Sequence, residues 1–293
     1  MKLKPFIKWT GGKGRVLKKI VSNFDNYDDC YVEPFIGGGA ILFDLQPKNA
    51  IISDINKDLI NVYLMVKNNI NELLKILKQI SKEYLSKNND DRKIYYYSKK
   101  DEYNKIKYFD EKINEKNHII RIKCASLFMF LNRTGFNGMY RENQSGKYNI
   151  PFGKYKNPTI ANEDLLNNVS KYLNDNNIEI FCQSYEATLE YVNNKYENDK
   201  NVLIYLDPPY YPSDSSKFTT YTKHKFHIRE QEELSKIYSN QKFSTYLSNS
   251  NCDEIKELYK DYKILTIDVL RSISAKKSSR GIKQELLIIK NIL

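Results

Sequence analysis

Residues 201–212 read NVLIYLDPPYYP: an apolar run reaches an aspartate and then meets two prolines and two tyrosines. Proline has no N–H to give to a central strand, so a strand rising to Leu206 must stop at Asp207. The stop presents a carboxylate acceptor (Asp207), backbone carbonyls beside Pro208 and Pro209, and the flat ring of Tyr210. That set suits an amino group on a planar ring. Such an amine is a poor nucleophile because its lone pair is delocalised. Hydrogen bonds accepted from its two N–H bonds return density to nitrogen and stabilise the positive charge that develops as it attacks. A bare strand-ending turn is the alternative for these residues. Tyr211 has no part in that chemistry and is expected to be a packing or loop residue.

Two other stretches could bind a ligand. EPFIGGGA, residues 33–40, follows the apolar CYV and precedes the helix-like AILFDL, giving the strand–glycine loop–helix of a nucleotide-type site. Gly37, Gly38 and Gly39 permit tight turns and close backbone approach. The loop lacks both the GxGxxG fingerprint and the Lys-Ser/Thr ending of a P-loop, which disfavours ATP or GTP. A flexible turn is its alternative. SDIN then closes the next strand on Asp54, at the spacing where an acid reaches ribose hydroxyls. Alone, Asp54 would be read as a turn or cap residue; after that glycine loop, the ribose role is the better reading. Open α/β sheets bind ligands beyond the carboxyl ends of their strands, so Asp207, the glycine loop and Asp54 should meet in one crevice.

The elements that must position these residues are readable in outline. Short segments rich in β-branched and aromatic residues begin at Cys30, Ala50, Ile178, Asn201, Phe243, Tyr262 and Gln284. Several are continuously apolar, as strands buried on both faces are. The last two are joined by RSISAKKSSRG, too short for a crossover helix, and should be antiparallel. Between the second and third strands, apolar residues recur at helical spacing from Leu59 to Ile80, giving one or two amphipathic helices with Asn56 as cap. HIIRIKCASLFMFL, residues 118–131, is a second helical candidate. The polar runs SKNNDDRK (86–93) and NKYENDKN (194–201) read as surface loops. The expected organisation is an α/β domain of residues 1–56 and 166–293, interrupted by a mostly helical insertion over 57–165.

The chain's 293 residues include 47 lysines and arginines against 36 acidic residues, a formal charge of +11. That excess favours a polyanionic partner, nucleic acid first and a membrane surface second, with a solvated Lys-rich surface as the alternative. The 24 tyrosines and 13 phenylalanines could stack on bases or reflect biased codon supply. Cys30, Cys124, Cys182 and Cys252 form no CxxC pair, and His118, His224 and His227 add no metal-ligand spacing, so no metal is expected. Unclustered cysteines suit a reducing cytosol. The N-terminus lacks a signal-peptide core, and the apolar patch CASLFMFL is too short to span a bilayer. A soluble, cytoplasmic, nucleoid-associated protein is expected.

FIKWTGGK, EPFIGGGA, DIN, NRTGFNGMYREN, NIPFGKYKNP, DPPYYP, FTTYT and RSISAKKSSRG stand in the order of a known family. Over nearly its whole length the chain resembles the Dam-type (D12 class, alpha group) site-specific DNA adenine-N6 methyltransferases. The resemblance implies a seven-stranded Rossmann-like methyltransferase sheet with a helical target-recognition insertion, S-adenosylmethionine as methyl donor with S-adenosylhomocysteine as product, and double-stranded DNA, with GATC as target. It puts cofactor contacts on Trp9, Lys13, Asp54 and Asp207, with the loop from Phe35 through Gly37 to Gly39 alongside. It puts the flipped adenine against Asp207, the Pro208 carbonyl, Pro209 and Tyr210; a base inside a duplex cannot reach such a site. DNA contacts carry over to Lys8, Phe136, Asn137, Met139, Arg141, Pro151 and Tyr155. Many members of the family have tyrosine where Phe136 stands. Arg141 suits a guanine edge and Phe136 a wedge in the stack. Arg271, Lys276, Lys277, Arg280 and Lys283 fall in a stretch free of acidic residues and could grip phosphates. A monomer is expected, with a restriction endonuclease as a possible genetic partner. Methylation of cytosine N4 or of an RNA base, and a DNA-binding module without catalysis, are the competing readings.

Overall fold

A computed structural model describes residues 3–14, 16–107, 115–196, 201–212, 226–270 and 282–292. Its centre is a seven-stranded sheet. The strands are β1 (Cys30–Glu33), β2 (Asn49–Asp54), β3 (Asn177–Cys182), β4 (Val202–Leu206), β5 (Ser244–Ser250), β6 (Lys263–Leu270) and β7 (Ile282–Lys290). They lie in the order β3-β2-β1-β4-β5-β7-β6. The first five are parallel, and β7 runs antiparallel between β5 and β6. All seven strands expected from the sequence are present, and the last two pair as expected. The order reverses between β1 and β4, where an open α/β sheet leaves a crevice at the strands' carboxyl ends.

Alternation along the strands divides the core. Tyr31, Ile52, Leu203, Tyr205 and Leu287 face one hydrophobic cluster, whereas Val32, Ile51, Ile204, Leu206 and Ile288 face the other. The second face is covered by α8 (Tyr185–Lys195), α9 (Ile228–Ser239) and α10 (Asp253–Leu258). The first is covered by α1 (Leu17–Val21), α2 (Ala40–Leu45), α3 (Lys57–Asn68) and α7 (Glu163–Asp175). Buried on both sides, β4 exposes none of VLIYL, and each such side chain contributes about 1.5–3 kcal/mol of burial.

The connection from β2 to β3 carries α3, α4 (Ile70–Leu85), α5 (Asn89–Ile106), α6 (Glu115–Thr134) and a 3-10 turn at Phe136–Gly138 before α7. Asn56 caps α3 by accepting from the Leu59 N–H at 3.0 Å, as expected. The helical spacing over residues 59–80 is divided between α3 and α4, and residues 118–131 lie within α6. The polar run at 86–93 departs from expectation: five of its residues are helix, not loop. Asn88 accepts from the N–H groups of Asp90 and Asp91, both at 3.0 Å, and the two aspartates favour the positive end of the helix. Likewise Asn194 and Lys195 end α8. Leu59, Tyr63 and Val66 of α3, Leu73 and Leu77 of α4, Tyr96 and Tyr103 of α5 and Phe130 of α6 belong to the same cluster as the first face of the sheet. No helix among the described residues is long and apolar enough to cross a membrane.

Candidate active site

The glycine loop is built from β1 outward. Its backbone is pinned to β2 where the Ile36 N–H donates to the Ser53 carbonyl at 2.9 Å. Gly37 (φ 46°) and Gly39 (φ 70°) take the left-handed conformation, and Gly39 opens α2. A Cβ on Gly37 would stand 2.7 Å from Trp9 Cδ1, and one on Gly39 would stand 2.7 Å from the Tyr63 hydroxyl. Glycine is required there by conformation and by space. Asp54, at the end of β2, closes over the loop: Oδ2 accepts from the Gly37 N–H at 3.2 Å and Oδ1 from the Asn56 N–H at 2.9 Å. Burial raises its pKa to about 6, against the opposing pull of the N–H groups of Asn56, Gly37 and Ile55. Phe35 stacks on Tyr185 with ring centres 5.2 Å apart, and Phe226 meets it edge-on at 6.3 Å.

Across the crevice, Asp207 ends β4. Its Oδ1 forms an ion pair with the ammonium of Lys13 at 2.6 Å. Burial pushes the Asp207 pKa up, and Lys13 works against that and favours the ionised form. Lys13 also donates to the Gly11 carbonyl at 3.0 Å and sits 4.6 Å from the centre of the Tyr210 ring. The turn after Asp207 is held by neighbouring strand ends. Gln231 of α9 donates to the Pro209 carbonyl at 3.1 Å and accepts from Asn249 at 2.9 Å. Asn249 Oδ1 takes the Tyr211 N–H at 3.3 Å, and Ser250 donates to the Tyr211 carbonyl at 2.6 Å. The Tyr210 hydroxyl donates to Glu285 Oε2 of β7 at 3.0 Å. Among the described residues the Pro208 carbonyl takes no hydrogen bond, so the two prolyl carbonyls differ.

Next to Lys13, Glu33 is buried and accepts from the Tyr31 hydroxyl at 2.9 Å. Burial raises its pKa to about 8, so it is mainly protonated at neutral pH.

A third group gathers at the end of α6. Asn132 accepts from the Lys8 N–H at 2.9 Å and donates to the carbonyls of Lys8 (2.8 Å) and Gly138 (2.9 Å). Lys8 places its ammonium 4.6 Å over the Tyr155 ring, and burial lowers its pKa, with Arg133 adding to the effect. The Phe136 N–H donates to the Pro151 carbonyl at 2.8 Å, and Asn137 (φ 55°) and Gly138 (φ 63°) turn the chain sharply. Phe136 is left 50% exposed, an unusual state for a phenylalanine. Arg141 Nε donates to Asn149 Oδ1 at 2.8 Å, across a hairpin that turns at Asn143 and Gly146. Met139 packs partly on the core, and Pro151 is exposed.

Lys8, Phe136, Asn137, Met139, Arg141, Pro151 and Tyr155 thus lie together. Trp9 joins this group to the glycine loop, lying against Gly37 on one side and stacking on Tyr140 (5.7 Å, 23°) on the other. Arg271, Lys276, Lys277 and Arg280 lie outside the described residues, as does the Lys283 side chain. Sequence reasoning missed Tyr140, Tyr185, Gln231, Asn249, Ser250 and Glu285. Only Asn249 and Ser250 carried a signal: they are polar residues ending a strand that is buried throughout.

For S-adenosylmethionine the residues fit. The glycine loop admits a close backbone approach, Asp54 is an anionic acceptor at a strand end, and Phe35 offers an aromatic surface. The family described as D12 class N6 adenine-specific DNA methyltransferase matches the chain over residues 9–273. The type II methyltransferase M.MjaIII of Methanocaldococcus jannaschii is 40% identical, with 99% of this chain and 99% of that protein covered. The type II methyltransferase M1.LlaDCHI of Lactococcus lactis subsp. cremoris is 36% identical, covering 98% and 95%. The DNA adenine methylase of Escherichia coli K12 is 30% identical, again covering 98% and 95%.

Proposed function

Because the chain belongs to the D12 class of N6 adenine-specific DNA methyltransferases, we propose that Asp207 and the Pro208 carbonyl receive the N6 amine of an adenine flipped out of duplex DNA, with Tyr210 stacked on its ring. The observation that carries this assignment is the asymmetry at the end of β4. Gln231 occupies the Pro209 carbonyl, whereas among the described residues no donor reaches the Pro208 carbonyl, which stands beside a largely buried carboxylate. Two acceptors face the two N–H bonds of the amine, draw on them, and stabilise the charge that grows on nitrogen. Lys13 favours the ionised, accepting form of Asp207 against the effect of burial. S-adenosylmethionine, when bound, supplies an electrophilic methyl group on a sulfonium. Asp54 receives its ribose hydroxyls, Phe35 packs its purine, and Trp9 and the Gly37–Gly39 turn close the loop around it.

The insertion over 57–165 carries the target-recognition surface. Phe136, half-exposed on a sharp turn, is the wedge that fills the space left by the flipped base. Arg141, oriented by Asn149, reads a guanine edge; Lys8, Asn137, Met139, Pro151 and Tyr155 complete the contact surface. The target is GATC. The basic stretch around Arg271, Lys276 and Lys277 grips phosphates. The enzyme acts as a monomer in the cytoplasm, at the nucleoid, and its likeness to two type II methyltransferases supports a restriction endonuclease as genetic partner.

Incubation with labelled S-adenosylmethionine and duplexes carrying GATC or single-base variants tests this, with methylation-sensitive sequencing of treated genomic DNA to find the site. Label on the GATC adenine alone is expected. Methylation centred on another sequence would remove GATC and leave the catalytic assignment. Full activity in Asp207→Ala would remove that assignment.

A further inference from the structure

Behind the hairpin lies a buried charged cluster that neither methyl transfer nor base contact uses. Lys107, following α5, has a side chain 4% exposed. It pairs with Glu142, lies 3.3 Å from Asp58 Oδ2, and donates to the Gly146 carbonyl at 2.9 Å. Asp58, in the first turn of α3, accepts from the Tyr103 hydroxyl at 2.7 Å and the Tyr140 hydroxyl at 2.6 Å; the Tyr140 oxygen is also 2.5 Å from Glu142 Oε1. Burial works to strip the proton from Lys107, but Asp58 and Glu142 outweigh it and hold the ammonium above its ordinary range.

One cation therefore ties three parts of the chain together: the start of α3, four residues beyond Asp54; the end of α5; and both sides of the hairpin turn, through Glu142 and Gly146. Asn104 reinforces the link by exchanging two hydrogen bonds with the backbone of Tyr148, at 2.8 and 3.0 Å. Tyr140 carries the link onward. Its ring lies between Phe128 (5.4 Å, 28°) and Trp9 (5.7 Å, 23°), and Trp9 lies against Gly37 of the cofactor loop. Regular backbone pairing in the hairpin is limited to bridges at Glu142–Tyr148 and Gly135–Phe152, each closed by two backbone hydrogen bonds, and these side chains add the rest of what holds its register.

We propose that Lys107, acting through Asp58, Glu142 and Tyr140, is a positioning residue that fixes the register of the DNA-reading hairpin and couples it, by the Tyr140–Trp9 stack, to the cofactor loop. The proposal rests on the reading of residues 136–155 as the DNA-reading surface. A buried pair that loses one member leaves an uncompensated charge, so the hairpin relaxes while the turn at Asp207, held by other strands, keeps its geometry. Coupling between two binding sites is reciprocal: the factor by which DNA tightens cofactor binding equals the factor by which cofactor tightens DNA binding.

The test compares wild type with Lys107→Met, Glu142→Gln and Tyr140→Phe. Methylation is measured on a duplex carrying the site found by sequencing and on duplexes with one base pair changed. S-adenosylhomocysteine is titrated by the fluorescence of Trp9, the chain's single tryptophan, with and without duplex. Lys107→Met is expected to cut discrimination about tenfold, through KM for the cognate duplex more than through kcat. The cofactor–DNA coupling factor should fall to about 1. Glu142→Gln, at a partly exposed position, should show a smaller loss in the same direction, and it decides the matter with Tyr140→Phe if Lys107→Met does not fold. Retention of discrimination and coupling in these variants, with discrimination lost in Arg141→Ala, overturns the positioning role alone. An Arg141→Ala protein that still discriminates overturns the hairpin reading and the proposal with it.

Discussion

The turn that follows β4 and the hairpin that carries Arg141 are both irregular backbone at the site, yet they are held by different means. The turn is enclosed by the sheet. Asn249 and Ser250 from β5, Glu285 from β7 and Gln231 from α9 reach it from elements whose positions the strand register already fixes. The hairpin has little pairing of its own and hangs from buried side chains: Asn104, Lys107, Asn132 and Tyr96, whose hydroxyl donates to the Ile150 carbonyl at 2.9 Å. The difference teaches that the turn proposed for the chemical step rests on a scaffold with many redundant constraints, whereas the hairpin proposed to read DNA rests on a few polar contacts. Damage to one should leave the other standing.

The largest expected separation comes from Asp207→Asn. Removing the charged acceptor should lower kcat on the order of 10²–10³, while the duplex bound most tightly in a binding assay stays the same. Arg141→Ala should do the reverse, lowering discrimination at one base pair by about 1–3 kcal/mol with kcat on the best duplex little changed. Arg141→Lys should fall nearly as far, because a bidentate contact needs the planar fork. Gln231→Leu leaves the Asn249 amide without its partner, at a cost of about 1–3 kcal/mol. It should lower kcat about tenfold, with discrimination intact; a loss of discrimination instead would erase the distinction between the two regions.

The next effect depends on pH. Asp54 is raised to about 6 from 3.8, so the folded chain holds this proton more tightly than the unfolded one. Its contribution to stability is therefore full below about pH 4 and lost as pH rises through 6. With Asp54 proposed to receive the ribose hydroxyls, cofactor binding should have the opposite sign, because the ionised carboxylate is the better acceptor. Trp9 fluorescence titrations should show S-adenosylhomocysteine affinity weakening as pH falls through 6, and Asp54→Asn should bind weakly at every pH. The smallest effect on methylation belongs to Glu33, raised to about 8 from 4.5, whose titration acts on stability. Its contribution to stability is full below about pH 4.5 and lost as pH rises through 8, and Glu33→Gln, which resembles the protonated acid, should flatten the thermal-stability profile between about pH 5 and 8.

Much of the turn was legible in the sequence and little of the hairpin's support was. Asp207, Gly37, Gly39 and Asp54 sit where apolar strand patterns end, and the alternation rule of sheets carries them to one edge without knowledge of distant contacts. The sequence reading has no helix over residues 89–106 and a loop at its start, because its first four residues are all polar and three of them charged; the cap on Asn88 and the acidic first turn were the overlooked signal. Lys107, Glu142 and Tyr140 are individually ordinary. Their meaning arises only when α5, α3 and the hairpin meet, over separations of 35 and 49 residues for Glu142 and Asp58 from Lys107 and 82 residues for Tyr140 from Asp58, and no local pattern announces such a meeting.

The continuity of the core on the first face of the sheet has an evolutionary consequence. Tyr63, Leu77, Tyr103 and Phe130 share one packed cluster with Tyr31 and Leu203, so among the described residues no seam separates the sheet from the segment proposed to select the target. A cassette spanning 57–165 transplanted from a distant relative would bring half of an interface grown elsewhere. New specificities in this lineage should therefore arise by substitution on the outward side of the hairpin, at Phe136, Arg141 and Pro151, rather than by exchange of the insertion as a module.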